Sequence, residues 1–119
     1  MKAKSVTVGS ERTFVLVLDQ GEEAFRAITD FANKEQVSGA AVTAIGAFAH
    51  AQVGWFDLAA KSYKRIAVSE QCGVLSLIGD VGLQDGSVRG GHFLSGPVRP
   101  TLEVTINETV EHMRRKKAP

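Results

Sequence analysis

Asp85-Gly86-Ser87-Val88-Arg89-Gly90-Gly91-His92-Phe93-Leu94-Ser95-Gly96-Pro97-Val98-Arg99-Pro100-Thr101-Leu102-Glu103-Val104-Thr105 is the stretch around which the chain is organised. It opens on a turn at Asp85-Gly86, continues as a strand from Val88 to Leu94, and bends at Ser95-Gly96-Pro97. Val98, Pro100, Leu102, Val104 and Ile106 then alternate with Arg99, Thr101, Glu103 and Thr105. A period of two places one set on a buried face and the other on a polar face of a strand. From Asn107 onward the periodicity is lost and fraying is expected.

Upstream, Val6 and Val8 mark a short first strand and Thr13 to Leu18 a second. Asp19 with Glu22 three residues later is the pattern of a capping box, so a helix is expected to start there. Ala24, Phe25, Ile28, Phe31 and Ala32 follow at helical spacing, with Arg26, Asp30 and Lys34 off the stripe, which predicts a helix lying on a sheet. Gly39 to Phe48 is apolar throughout and reads as a central strand covered on both faces, its small residues admitting another backbone or subunit. Ala51 to Asp57 and Ser62 to Val68 form an antiparallel pair around a turn at Asp57 to Lys61. Cys72 to Gly79 is a further apolar strand, and Asp80 to Gly86 is rich in turn formers. The fold class is therefore mixed α+β (α/β): a mostly antiparallel or mixed sheet with one main helix packed on it.

Composition narrows the classes. The 119 residues are enough for one domain, 44% are hydrophobic and 23% charged, and 14 basic against 13 acidic residues leave a net charge of +1. That balance gives no general reason to bind a polyanion. The only locally basic run, Arg114-Arg115-Lys116-Lys117, reads as a solvated tail within 108–119, leaving a domain over 5–107. No apolar run approaches the ~20 residues of a membrane span, and no signal-peptide block precedes Val6. With Cys72 alone there is no internal disulfide, and a cytoplasmic location is the expectation.

The order of pieces then matters. Leu18-Asp19-Gln20-Gly21-Glu22, Ala44-Ile45-Gly46-Ala47-Phe48, Val53-Gly54-Trp55-Phe56-Asp57, Leu75-Ser76-Leu77-Ile78-Gly79 and Gly90-Gly91-His92-Phe93-Leu94-Ser95-Gly96 together resemble the plants-and-prokaryotes conserved (PPC) domain, with Gly46, Gly54, Gly90, Gly91 and His92 as its signature. The resemblance implies a mixed α/β domain assembling as a homotrimer. In plants such domains follow AT-hook motifs in nuclear proteins, and this chain, which lacks an AT-hook, resembles the free-standing prokaryotic members, often labelled as DNA-binding. Many of those carry a strand with His-x-His ahead of Gly-Gly-His, and the three histidines resemble a zinc site. Here that segment is missing between Gly79 and Gly90, and His92 alone matches a ligand position.

Three imidazoles would fix a zinc ion and leave a position open for catalysis, whereas one does not. His92 is therefore read as a half-buried strand residue, the route left to a metal being three copies gathered on a trimer axis. His50 and His112 match no ligand position. Glu103 is a candidate to orient His92 or act as acid or base, against its reading as a solvated strand carboxylate. Ser95 lacks the leading glycine of a nucleophile elbow and is a turn serine. Cys72 is expected to be a buried, inert thiol, and the glycines form no nucleotide-binding loop. Trp55, Phe56 and Tyr63, near Lys61, Lys64 and Arg65, are expected in the core or a subunit interface rather than as stacking residues for single-stranded nucleic acid.

Two functions follow. The first is a non-enzymatic homotrimeric binding and assembly module, DNA-associated or regulatory, with weak direct DNA affinity. The alternative is a zinc- or small-molecule-binding metalloenzyme with His92 and Glu103 at a cleft between subunits. The missing segment also raises the expectation of an exposed sheet edge and altered pairing.

Overall fold

The alternation at 98–106 is strand β10 (Val98–Glu108), the centre of the large sheet in this computed structural model, which describes residues 1–9, 11–77 and 80–108. The remaining strands are β1 (Lys2–Val8), β2 (Glu11–Leu18), β3 (Ala40–Phe48), β4 (Ala51–Asp57), β5 (Ser62–Val68), β6 (Cys72–Ser76), β7 (Asp80–Gly82), β8 (Val88–Arg89) and β9 (His92–Ser95), with one helix, α1 (Ala24–Lys34), among the described residues. Seven strands form a sheet in the order β1-β2-β10-β3-β6-β7-β8, and three form a second in the order β5-β4-β9. Every pairing between named strands is antiparallel. The expected α+β architecture is thus the one found.

Register explains the core. Leu16, Val104 and Ala44 lie opposite one another across β2, β10 and β3, as do Phe14, Ile106 and Val42, and Leu18, Leu102 and Gly46. These rows face the helix, where Ala24 and Phe31 are buried and Phe31 meets Phe14 edge to face at 5.1 Å. Each large apolar side chain taken fully out of water contributes roughly 1.5–3 kcal/mol, so β2 and β10 together supply much of the stabilisation. Pro100 departs from the expected alternation: it is exposed, because register shifts between Val98 and Leu102, where the Arg99–Pro100 peptide is cis. Past Ile106 the strand continues, Asn107 pairing with Thr13 and Ala41. Arg12 anchors that end, its Nε and one terminal nitrogen bonding the two Glu108 carboxylate oxygens at 2.8 and 2.7 Å. The same nitrogen donates to the Glu35 carbonyl at the end of α1. Of the tail expected over 108–119, Glu108 is instead the last residue of β10, and the rest lies outside the described residues.

The alternate rows make the outer face. Lys2, Val17, Glu103 and Ile45 form one row across β1, β2, β10 and β3, and Lys4, Val15, Thr105 and Thr43 the next. β3 is therefore not covered on both faces within one chain: Ala40, Val42 and Ala44 pack inward, while Ala41, Thr43 and Ile45 are exposed, Ile45 at 77%. Small residues on both faces hid the alternation. At Gly46, φ is +144°, and a Cβ would overlap the Thr101 carbonyl oxygen and stand 2.8 Å from Leu102 Cα. Only glycine permits the two backbones to meet there.

Helix α1 starts later than expected. Glu22 does reach back to the Asp19 N–H at 2.7 Å, but this closes a turn in which the Glu22 N–H donates to the Asp19 carbonyl. The cap is Glu23, whose carboxylate accepts from the N–H groups of Phe25, Arg26 and Gly96. Two acidic residues in succession offered two registers, and the contact with Gly96 on the bend before β10 decides between them.

Candidate functional site

Gly90 and Gly91 turn the chain out of one sheet and into the other. Val88 to Leu94, expected as one strand, is two: Val88 and Arg89 pair with β7 in the large sheet, whereas His92 and Phe93 pair with Gly54 and Val53 of β4. Gly91 has φ +157°, and a Cβ there would come 2.8 Å from the Gly54 carbonyl oxygen. Two of the signature glycines thus mark a sheet crossover, and Gly54 lies beneath it. The shortened segment before them closes as a hairpin, with the Leu83 N–H bonding the Ser87 carbonyl and the Gly86 N–H the Leu83 carbonyl. Asp85 accepts from the N–H and hydroxyl of Ser87, which hold its carboxyl below the ordinary range. On this side the large sheet ends in the two residues of β8, a length that offers little template for edge pairing.

The crossover delivers His92 to the rim of a cleft of about 290 Å³ lined by Phe25, Ile28, Thr29, Val42, Leu77, His92 and Phe93. His92 is exposed and meets Tyr63 edge to face at 5.4 Å; Tyr63 in turn meets Phe56 at 5.1 Å. Phe93 stacks on the buried Phe48 at 5.2 Å and lies 6.4 Å from Phe25. Phe25, expected in the buried stripe of the helix, is 50% exposed at this cleft. At about 100° per residue Phe25 stands at one margin of the stripe set by Ala24, Ile28, Phe31 and Ala32, and that marginal position was the available signal.

Glu103 is elsewhere. It stands opposite Ile45 and Val17 on the outer face, whereas Val42, on the inner face of β3, lines the cleft with His92. One chain therefore does not bring Glu103 to His92. Among the described residues no group of three or more His, Cys, Asp or Glu side chains is placed to hold a metal. His50 sits exposed in the bend between β3 and β4, and His112 lies outside the described residues. Among the described residues the donor set within one chain does not fit a zinc ion, since His92 brings a single nitrogen to a cleft whose only other polar lining group is the Thr29 hydroxyl.

Ser95 lies opposite Gln52 in the β4–β9 ladder. Cys72 is buried, and desolvation followed by the Glu70 charge pushes its thiol above the usual value, keeping it protonated. Trp55, Phe56 and Tyr63 are not core residues: they are 58%, 40% and 47% exposed on the β4–β5 pair. No helix among the described residues is long and apolar enough to cross a membrane.

The model of the Plants and Prokaryotes Conserved (PCC) domain matches residues 5–110. Among solved structures, a plant- and prokaryote-conserved (PPC) protein of Pyrococcus horikoshii is 27% identical, with a TM-score of 0.80 over 95% of this chain and 92% of that one. A metal-containing protein of Archaeoglobus fulgidus is 30% identical, with a TM-score of 0.71 over 91% of this chain and 85% of that one. A candidate DNA-binding protein of Bacteroides thetaiotaomicron shares the fold at 19% identity and a TM-score of 0.79, over 96% and 89% of the two chains. No curated protein matches the sequence.

Proposed function

This chain belongs to the Plants and Prokaryotes Conserved (PCC) domain family, and from that membership we propose that it works as a non-enzymatic binding and assembly module built on a homotrimer. The observation that carries the reading is the outer face of the seven-stranded sheet, where Val15, Val17, Ile45 and Leu75 stand among small and hydroxyl-bearing residues. Ile45 at 77% and Leu75 at 61% exposure on neighbouring strands β3 and β6 are what an interface leaves behind when one subunit is viewed alone. The number of copies, three, is what the family resemblance implies.

Glu103 has a role in this arrangement other than catalysis. It lies between Ile45 and Val17 on the face that association would cover, and a carboxylate withdrawn from water needs a cationic partner. Lys2 and Lys4 border the same rows and supply that charge from within the chain or across the interface.

DNA association comes to this chain from the similarity to the Bacteroides protein. At a net charge of +1 direct binding to duplex DNA is weak and salt-sensitive. The Archaeoglobus relative is metal-containing; carried here, a zinc ion would find His92 as its one matching ligand, which does not fix a metal.

Sedimentation velocity of two single-charge variants tests the face. Ile45→Lys places a charge in the middle of it and lowers the assembly to single chains. Leu58→Lys, on the exposed β4–β5 turn, leaves assembly intact. Equal behaviour of the two variants would sink the assignment of this face.

A further inference from the structure

The cleft at His92 has features that sheet and helix packing do not require. Its walls come from α1, β3, β9 and Leu77, beyond the end of β6, and among the described residues none of the seven that line it carries a formal carboxylate, ammonium or guanidinium charge. Phe25 is held half in water on the face of α1 next to the buried Ala24. At the rim, the His92 imidazole makes a ring contact with Tyr63 and no hydrogen bond within the described residues. The resemblance places a metal ligand at His92, yet the surroundings here are Ile28, Val42, Leu77 and two phenylalanine rings.

We propose that the cleft between α1, β3 and β9 binds a small, uncharged, ring-bearing molecule, stacked on the exposed side of Phe25 and hydrogen-bonded at its edge to His92. Volume sets the size: about 290 Å³ lies at the small end of ligand sites, which run from about 300 to 1,000 Å³, so one ring or two fused rings fit. Charge sets the class, because an ionised ligand entering these walls loses its hydration without meeting a counter-ion among the described lining residues. Geometry sets the pose. Phe25 and Phe93, tilted by 46° with centroids 6.4 Å apart, leave no room for a ring between them, so the ligand lies over Phe25 against Ile28, Val42 and Leu77. The imidazole, with one nitrogen able to donate and one to accept, selects a ring carrying an N–H, a hydroxyl or a carbonyl. Thr29 supplies a hydroxyl at the mouth as a second polar group.

The site is formed within one chain and does not rest on the assembly reading, and the two are read by different probes. With Ile, Leu and Val methyl groups labelled in the full-length protein as it assembles, a titration with indole is expected to give saturable shifts at Ile28, Val42 and Leu77. Ile45 and Leu75, on the outer face, stay unmoved. Thr29→Trp fills the mouth from an exposed helix position and weakens indole by about tenfold or more. His92→Phe weakens indole more than toluene, which has no hydrogen-bonding edge. The proposal is overturned by the absence of a saturable shift, including the case in which a partner subunit fills the cleft, by shifts centred on Ile45 and Leu75, by a Thr29→Trp protein that binds indole as before, or by equal losses for indole and toluene in His92→Phe.

Discussion

Gly46 and Glu108 show how single residues set the limits of this fold. Gly46→Ala is expected to destabilise by about 2 kcal/mol or more, because the new Cβ meets the Thr101 backbone and φ of +144° is unfavourable for any side chain. A urea unfolding midpoint measures it, and a loss of a few tenths would show that β3 and β10 can separate at no cost. Glu108 tests the electrostatics. Hydrogen bonding to Arg12, helped by its charge and opposed by desolvation, holds the Glu108 carboxyl below its ordinary value of 4.5. A depressed folded-state value means that the pair stabilises the fold fully above about pH 4.5 and loses that contribution as pH falls through the lower folded value. Glu108→Gln is thus less stable than the parent at neutral pH, and the gap closes in acid; a gap constant across that range would contradict the assignment. The signature glycines were legible as family marks, but the reason for each was not, because close approach of Gly46 to Thr101 or Gly91 to Gly54 is a property of distant strands. The distance between His92 and Glu103 was hidden for the same cause: alternation assigns faces within one strand and says nothing of which sheet a strand joins.

Among the elements, the alternation from Leu102 to Ile106 was readable because period-two patterning is local; β3 was readable as a strand from its apolar run, but its two faces were not, since small residues stand on both. The boundary between β8 and β9 was not, since Val88 to Leu94 is strand-forming on both sides of Gly90-Gly91 and nothing local tells that the chain changes sheets there. Helix α1 presents the converse case. Asp19-Gln20-Gly21-Glu22 carries a recognised start pattern, and the Glu22 contact forms, yet Glu23 caps the helix because its carboxylate also serves the Gly96 N–H. Glu23→Ala is therefore expected to cost about 1–2 kcal/mol, at the upper side of the usual N-cap loss because a part-buried N–H is orphaned along with the helix donors. Glu22→Ala should cost less. Thermal midpoints of the two variants, measured side by side, check the order; the reverse order would return the helix start to Asp19.

Taken as a whole molecule, the chain buries one face of its large sheet under α1 and leaves the other in water with Ile45, Leu75 and Val17 upon it. Composition did not disclose this, because a chain with 44% hydrophobic residues is ordinary whether its apolar side chains fill a core or also cover an interface. Family membership and the exposed face both support the proposed assembly, in which the small residues of β3 would let a second subunit come close. The most direct test is the mass of the wild-type chain in solution by light scattering. The account predicts a single species at three times the chain mass of 12.7 kDa, constant on dilution through the micromolar range; a species at one chain mass over that range would contradict it.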